Sequence, residues 1–273
     1  MILESFPLSS PLCKHIESVI YYKDYVTVHN VERIIPTGNV FILIELDGFE
    51  RSTFDANLMP NARYKNSWVS GIQRTYLNIS VHQNSEMMIV KFKSMGAYPF
   101  FKFPICQLNN KINDSTTYFG DSILRLREDL ISGFSSQEKF PMLERWLLQL
   151  LDSKKSPPQE ILDIIEKLHE SPFTRHKHVI QQYTKTKKNL INLFKKYCGL
   201  TPKVIHRIFR FNSLLLMINQ KSELIWTDIA YEFGYSDQAH FIKEFQEFCG
   251  INPSNYIKKG FNEGIPNFFP IDK

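Results

Sequence analysis

The 273-residue chain is short of the residues that mark several common protein classes. Its four cysteines, Cys13, Cys106, Cys198 and Cys249, form no CxxC pair, so neither a zinc site nor a disulfide framework is indicated. Reduced thiols of a cytoplasmic protein are expected. None of the 11 glycines falls in a P-loop, a GxGxxG turn or a G-x-S-x-G elbow. No apolar run approaches the roughly 20 residues that span a bilayer, so no membrane segment is expected. The opening "MILESFPLSSPLCK" lacks the basic and apolar regions of a secretion signal. Residues 1–150 hold only His15, His29 and His82, without an HxH pair. An iron or manganese oxygenase or isomerase site needs more converging ligands, so neither metal, cofactor nor enzymatic activity is expected.

Acidic residues are missing where they matter most. Between Ser171 and Ser222 there is no Asp or Glu, while 11 residues are Lys or Arg. From Lys154 to Lys259 the chain has 17 basic and 10 acidic residues, a net +7, against −2 for the remainder. A solvated helical face normally mixes both signs, so 52 residues without an acid point to an anionic partner, and a polyphosphate backbone suits best.

What is present divides in two. Residues 17–93 read as strands, in "SVIYYKDYV", "VERIIP", "VFILIELDG", "SWVSGI", "YLNISVHQ" and "EMMIVKFK", separated by short polar or Gly/Pro/Asn segments. Such spacing predicts a closed or nearly closed barrel or sandwich. Residues 119–152 have helical periodicity, with Phe140, Leu143, Trp146, Leu147 and Leu150 on one stripe that would pack on its own barrel or on a second copy. "DSKKSPP" (152–158) interrupts helix and sets a domain boundary. The expected fold is α+β. A β-barrel or cupin-like domain with appended helices occupies 1–153, an all-α domain 158–260 and a tail 261–273.

Within the helical part, a shift of 51 residues aligns "LINLFKKYCGLTP" (190–202) with "FIKEFQEFCGINP" (241–253). Phe194 falls on Phe245, Cys198 on Cys249, Gly199 on Gly250 and Pro202 on Pro253. Each copy has an apolar stripe of about 120°. The opposite arc carries Lys188, Asn192 and Lys195 in one copy, and Ala239, Lys243 and Gln246 in the other. In front of the second copy stands "WTDIAYEFG", where Ala230 allows close helix approach, Gly234 can end the helix with φ > 0, and Ser236 or Asp237 caps the next. Helix, glycine turn and helix make a helix-turn-helix, here 226–249. "HKHVIQQYTKT" with Thr186 as cap begins a first unit, 176–198, whose turn lacks the glycine. Between them, 202–220 reads as a helix with Pro202 in its first turn, about 28 Å long, close to the roughly 34 Å between major grooves on one side of DNA.

Residues 160–259 resemble the DNA-binding domain of AraC/XylS-type transcription regulators, on "LINLFKKYCGLTPKVIHRIFRF" and "DIAYEFGYSDQAHFIKEFQEFCGINPSNYIKK". The amino-terminal part resembles, more loosely, the sensor domain of a subgroup, through "IIPTGNVFILIELDG" and "VKFKSMGAYPFFKFPICQL". The resemblance implies two recognition helices that enter successive major grooves of promoter DNA. Lys187, Lys188 and Asn192 would face the bases from the first, and Gln238, Ala239, His240 and Lys243 from the second. Lys can donate to guanine, Asn or Gln can pair with adenine, and the alanine methyl can meet thymine. Thr184, Thr186, Lys195, Lys203, Arg207, Arg210 and Ser236 would contact phosphate or position the helices; Arg207 and Arg210 could equally brace the linker. Implied partners are double-stranded DNA, RNA polymerase, a small effector and a second copy of the chain. Two rival readings are a ligand-independent regulator whose front domain makes only protein contacts, and a non-specific architectural DNA binder.

Overall fold

The computed structural model describes residues 1–181, 183–218, 225–260 and 267–272. The chain begins with strands β1 (Ile2–Phe6), β2 (Ile16–Lys23), β3 (Val31–Ile34), β4 (Phe41–Glu45), β5 (Arg51–Phe54), β6 (Pro60–Tyr64), β7 (Ser67–Ser70), β8 (Leu77–Ser80) and β9 (Met87–Phe92). Helix α1 (Tyr98–Phe101), β10 (Ile112–Asp114), α2 (Thr116–Phe119), α3 (Ser122–Ser132) and α4 (Ser136–Leu150) follow. Then come α5 (Gln159–Glu170), α6 (His176–Ile180), α7 (Lys187–Tyr197), α8 (Pro202–Ile218), α9 (Trp226–Glu232), α10 (Gln238–Cys249) and α11 (Pro253–Lys258), with β11 (Phe268–Pro270) at the end. The fold is α+β, β-rich in front and helical behind.

The strands form two antiparallel sheets, ordered β1-β2-β9-β4-β7-β10 and β11-β3-β8-β5-β6. They are open, so "barrel" describes them only loosely. Pro60 opens β6 and Pro270 closes β11, and a residue without an N–H suits an outer strand. On one face of the first sheet Ile42, Ile44, Val69, Met88 and Val90 are fully buried and share a core with Ile123, Leu130, Leu143 and Leu147. The α4 stripe is therefore covered by its own chain. On the other face Glu45 joins the sheets: Arg51 of β5 donates to it at 2.7 and 3.0 Å, and the Trp68 indole at 3.0 Å.

The segment 152–158 is a short 3₁₀ turn followed by Pro158, which precedes α5. Helix α8 covers the expected linker as far as Ile218; its last two positions lie outside the described residues. Residues 261–266 and 273 lie outside the described residues, but 268–270 pair with β3, and Asp272 accepts from the Asn30 and Val31 amides at 2.8 and 3.2 Å. A strand of three residues ending in proline carries no alternation to read.

The β-rich part grips the helical part at the two glycines of the repeat. Asn109 Nδ2 donates to the Gly199 carbonyl at 2.6 Å, just past α7. Arg33, buried and stacked 3.9 Å over the Tyr76 ring, donates to Asn78 at 2.8 Å and to the Cys249 carbonyl at 3.0 Å, at the end of α10. Both glycines have positive φ, +94° and +70°. A Cβ at Gly199 would lie 2.7 Å from Asn109 Oδ1, and one at Gly250 would lie 2.4 Å from Arg33 Nη1. Gly199→Ala and Gly250→Ala are each expected to cost about 1–3 kcal/mol. Gly48→Ala, with nothing within 4 Å, should cost little. Urea unfolding of the three variants tests this, and equal midpoints would refute the two-point grip.

Candidate nucleic-acid interface

Each helix that would read bases is started by a side-chain cap. Thr186 Oγ1 accepts from the Asn189 amide at 3.2 Å to begin α7. Asp237 Oδ1 accepts from the His240 amide at 2.7 Å to begin α10, and this bond holds the Asp237 carboxyl below its ordinary value. Of the two caps open for α10, Asp237 takes the role; Ser236 braces it, its hydroxyl donating at 3.0 Å.

The turn before α10 follows from Gly234. With φ at +71°, it sends its amide to the Tyr231 carbonyl at 3.0 Å, while the Tyr235 amide reaches the Ala230 carbonyl at 2.9 Å. These two bonds complete a Schellman motif. Ala230 is buried, and Trp226 of α9 stacks on Phe241 of α10 at 5.8 Å. The first unit is built differently. Its α6 has only five residues, no glycine lies in the turn, and buried Tyr183 donates its hydroxyl to Asn189. Gln182 lies outside the described residues.

On α7, Leu190, Phe194 and Tyr197 are buried; on α10, Phe241, Phe245, Phe248 and Cys249 are. Thr186, Lys187, Lys188, Asn192 and Lys195 are exposed around α7, and Ser236, Gln238, Ala239, His240 and Lys243 around α10. Helix α7 leads into the start of α8, whose 17 residues make a rod of about 26 Å, and α10 packs against Arg207, Arg210 and Phe211 of that rod.

Of the candidates, Arg207 and Arg210 have guanidinium groups that are already engaged, and Arg207 has two carboxylate partners. It donates to Glu244 at 2.7 Å and to Glu247 at 2.6 Å, so it braces α8 against α10. Glu244 is the residue that the sequence pattern concealed. It is 1% exposed and also accepts from Arg210 at 2.7 Å and from the Tyr235 hydroxyl at 2.8 Å. The repeat places it opposite Leu193, and a carboxylate amid phenylalanines looks like a surface interruption until its partners are known.

Residues 181–259 match a family model described as a helix-turn-helix domain, and residues 4–114 one described as a domain of unknown function (DUF6597). Over 152 residues the chain is 28% identical to a lactose operon transcription activator of Staphylococcus xylosus, covering 56% of this chain and 52% of that one. Over 75 residues it is 31% identical to an uncharacterized HTH-type transcriptional regulator of Haemophilus influenzae, covering 28% and 25%. The matched stretches thus span about half, or a quarter, of those relatives. Among solved structures, apo ToxT of Vibrio cholerae is similar at 13% identity and a TM-score of 0.44, over 88% of this chain and 97% of that one. Unsaturated fatty acid-bound ToxT gives 13% and 0.43, over 88% and 94%. The chain thus carries a helix-turn-helix domain behind a β-rich amino-terminal part, and in this arrangement it is similar to AraC/XylS-type transcription regulators.

Glu244 makes the seating of α10 dependent on pH. Burial pushes its carboxyl up, but Arg210 and Arg207 outweigh burial and hold it below its ordinary 4.5. A depressed carboxyl stabilises the fold fully above the unfolded value, and that contribution disappears as pH falls through the lower folded value. Glu244→Gln should therefore flatten the loss of stability below about pH 4.5 relative to wild type. At neutral pH Glu244→Ala, which strands Arg210 and takes one of two carboxylates from Arg207, should cost about 3–5 kcal/mol. Parallel pH profiles of Glu244→Gln and wild type in thermal unfolding would show that the carboxylate does not carry this contact.

Proposed function

We propose that the chain binds promoter DNA sequence-specifically, with α7 and α10 entering successive major grooves, and so regulates transcription. One observation carries this reading. Two capped helices from the same internal repeat, α7 and α10, present exposed faces carrying Lys with Asn or Gln, and α7 lies in the stretch from Ser171 to Ser222 that holds no acid. Lys187, Lys188 and Asn192 read from the first unit, and Gln238, Ala239, His240 and Lys243 from the second. Thr186, Lys195 and Ser236 meet phosphate, while Arg207 acts as a brace. An architectural binder would account for the charge but not for two built units with neutral polar groups at the reading positions.

The front domain, 1–153, acts in this reading as the sensor or dimerisation part of a regulator that works in the cytoplasm, recruiting or blocking RNA polymerase and performing no enzymatic reaction. Its support is the grip on the ends of both recognition helices, through which a change in the sheets can reach the DNA-reading surface. No described helix is long and apolar enough to cross a membrane.

Selection of bound sequences from a random duplex library at roughly 0.15 M salt, with wild type and Lys243→Ala in parallel, tests the reading. The expected result is an asymmetric motif with two elements about one helical turn apart. Lys243→Ala should relax one position by about 1–3 kcal/mol and leave the other element unchanged. Binding without an enriched motif, collapsing as salt rises, would overturn sequence-specific readout.

A further inference from the structure

Residues 267–272 lie against the front sheets on one side and the helical region on the other. Along one edge they follow β3, where Phe268, Phe269 and Pro270 stand opposite Ile34, Arg33 and Glu32. Beyond that ladder the Ile35 amide donates to the Asn267 carbonyl at 2.9 Å, and the Ile271 amide to the Val31 carbonyl at 3.2 Å. The Asp272 carboxylate then accepts from the Asn30 and Val31 amides at 2.8 and 3.2 Å. A three-residue strand laid on a four-residue one has little hold of its own, so Asp272 and the flanking bonds complete the attachment.

The other contacts of the segment lead into the helices. Phe269 is 2% exposed and stands edge-on to Tyr256 of α11 at 5.5 Å; Tyr256 stands edge-on to Phe245 of α10 at 5.6 Å. Asn267 Nδ2 donates to Asn212 Oδ1 of α8 at 2.7 Å. Arg33, opposite Phe269 in the ladder, is the residue that donates to the Cys249 carbonyl at the end of α10. The segment therefore bridges β3 to α8, α10 and α11. The attachment of α7 is made elsewhere, by Asn109 and Ile105 around Gly199. Without residues 267–272, β3 would be the outer strand of its sheet, and outer strands open more readily than paired ones.

We propose that residues 267–272 are a clasp that holds the α8–α10 pair on the front sheets, so that its displacement frees this pair to pivot at Gly199 while α7 stays attached. The pair moves together because Arg207 and Arg210 of α8 share Glu244 of α10. Gly199, at φ +94°, is the backbone position where such a pivot meets least resistance. The consequence for DNA is a variable spacing between the two reading helices once the clasp is displaced, and this half of the statement rests on the function proposed above.

The test uses the full chain and two matched thiols. Cys198 and Cys249 are equivalent in the repeat, both fully buried, and each precedes one of the two gripped glycines. Alkylation by iodoacetamide, located by peptide mass mapping, is timed in wild type, Phe269→Ala, Asp272→Ala and, as control, Phe268→Ala, whose ring is 41% exposed. Phe269→Ala and Asp272→Ala should each speed alkylation of Cys249 by about tenfold or more and leave Cys198 unchanged, because a buried thiol reacts only through local opening. Phe268→Ala should behave as wild type. Equal acceleration at both cysteines would mean a general loss of stability and would overturn the clasp. Acceleration in only one of the two variants, or in neither, would overturn the bridge between β3 and the helices. In selection from the random duplex library, Phe269→Ala should keep both elements of the motif and accept several spacings between them. A single unchanged spacing beside a reactive Cys249 would overturn the consequence for DNA. Should wild type select no motif, the proposed function fails, and alkylation alone decides the clasp.

Discussion

Helices α7 and α10 each end at a glycine turn held by the amino-terminal part, and the placement of the helical region follows from that constraint. Asn109 fixes the turn at Gly199 and Arg33 the one at Gly250, the two positions that the internal repeat makes equivalent. Between them α8 rests against the front domain at a third point. A Cβ at Gly38 would lie 2.5 Å from Ile205 Cδ1, and Asn212 donates to the Pro36 carbonyl at 2.9 Å. The chain then returns to the same place: Phe269 of β11 pairs with Arg33 itself and stands edge-on to Tyr256 of α11 at 5.5 Å. The helical region is thus seated on the sheets by close backbone approaches, which tolerate little displacement.

The two grips are electrically different. Arg33 brings a buried cation to the carbonyl end of α10, where the helix dipole is negative, and its stacking on Tyr76 fixes the direction of approach. At α7 the grip from the front domain is a neutral amide, and the nearby cation belongs to the helix: Lys196 lies 5.2 Å from the Tyr98 ring of α1 and 4.9 Å from that of Tyr197. A disturbance of β3 therefore acts on α10 through a charge, whereas one near residues 105–109 acts on α7 through a hydrogen bond and apolar contacts such as Ile105.

The repeat made the helical region readable, because a stripe such as Phe241, Phe245, Phe248 has one reasonable explanation and its second occurrence removes doubt about period. The Thr186 cap and the glycine turn at 234 were legible for the same reason: local chemistry determines them. Less was visible in front. Six of the strands stood out by composition, but β1, β5, β6 and β10 are short or polar, and whether two sheets close is decided by edges that no local pattern encodes. "PTG" at 36–38 stands within a stretch that carries the resemblance, yet its purpose, admitting Ile205 of a distant helix, is a tertiary fact. Arg33 and Glu244 were hidden likewise. A charged residue in a buried position is intelligible only through partners, and theirs lie 216 and 34 to 37 residues away in sequence.

The position at which the repeat breaks its own pattern separates the behaviour of its two halves. Leu193 of the first copy corresponds to Glu244 of the second. Leu193 gives α7 a partly buried apolar contact, adaptable in direction. Glu244 ties α10 to α8 through two arginines and to its own turn through Tyr235, a directional network that cannot slide without leaving charges unpaired. Helix α10 and α8 are accordingly joined by paired charges. At the junction of α7 and α8, residues 198–201, Gly199 supplies backbone freedom and Asn109 restrains it. The front domain holds that junction directly, through the hydrogen bond from Asn109 to the Gly199 carbonyl.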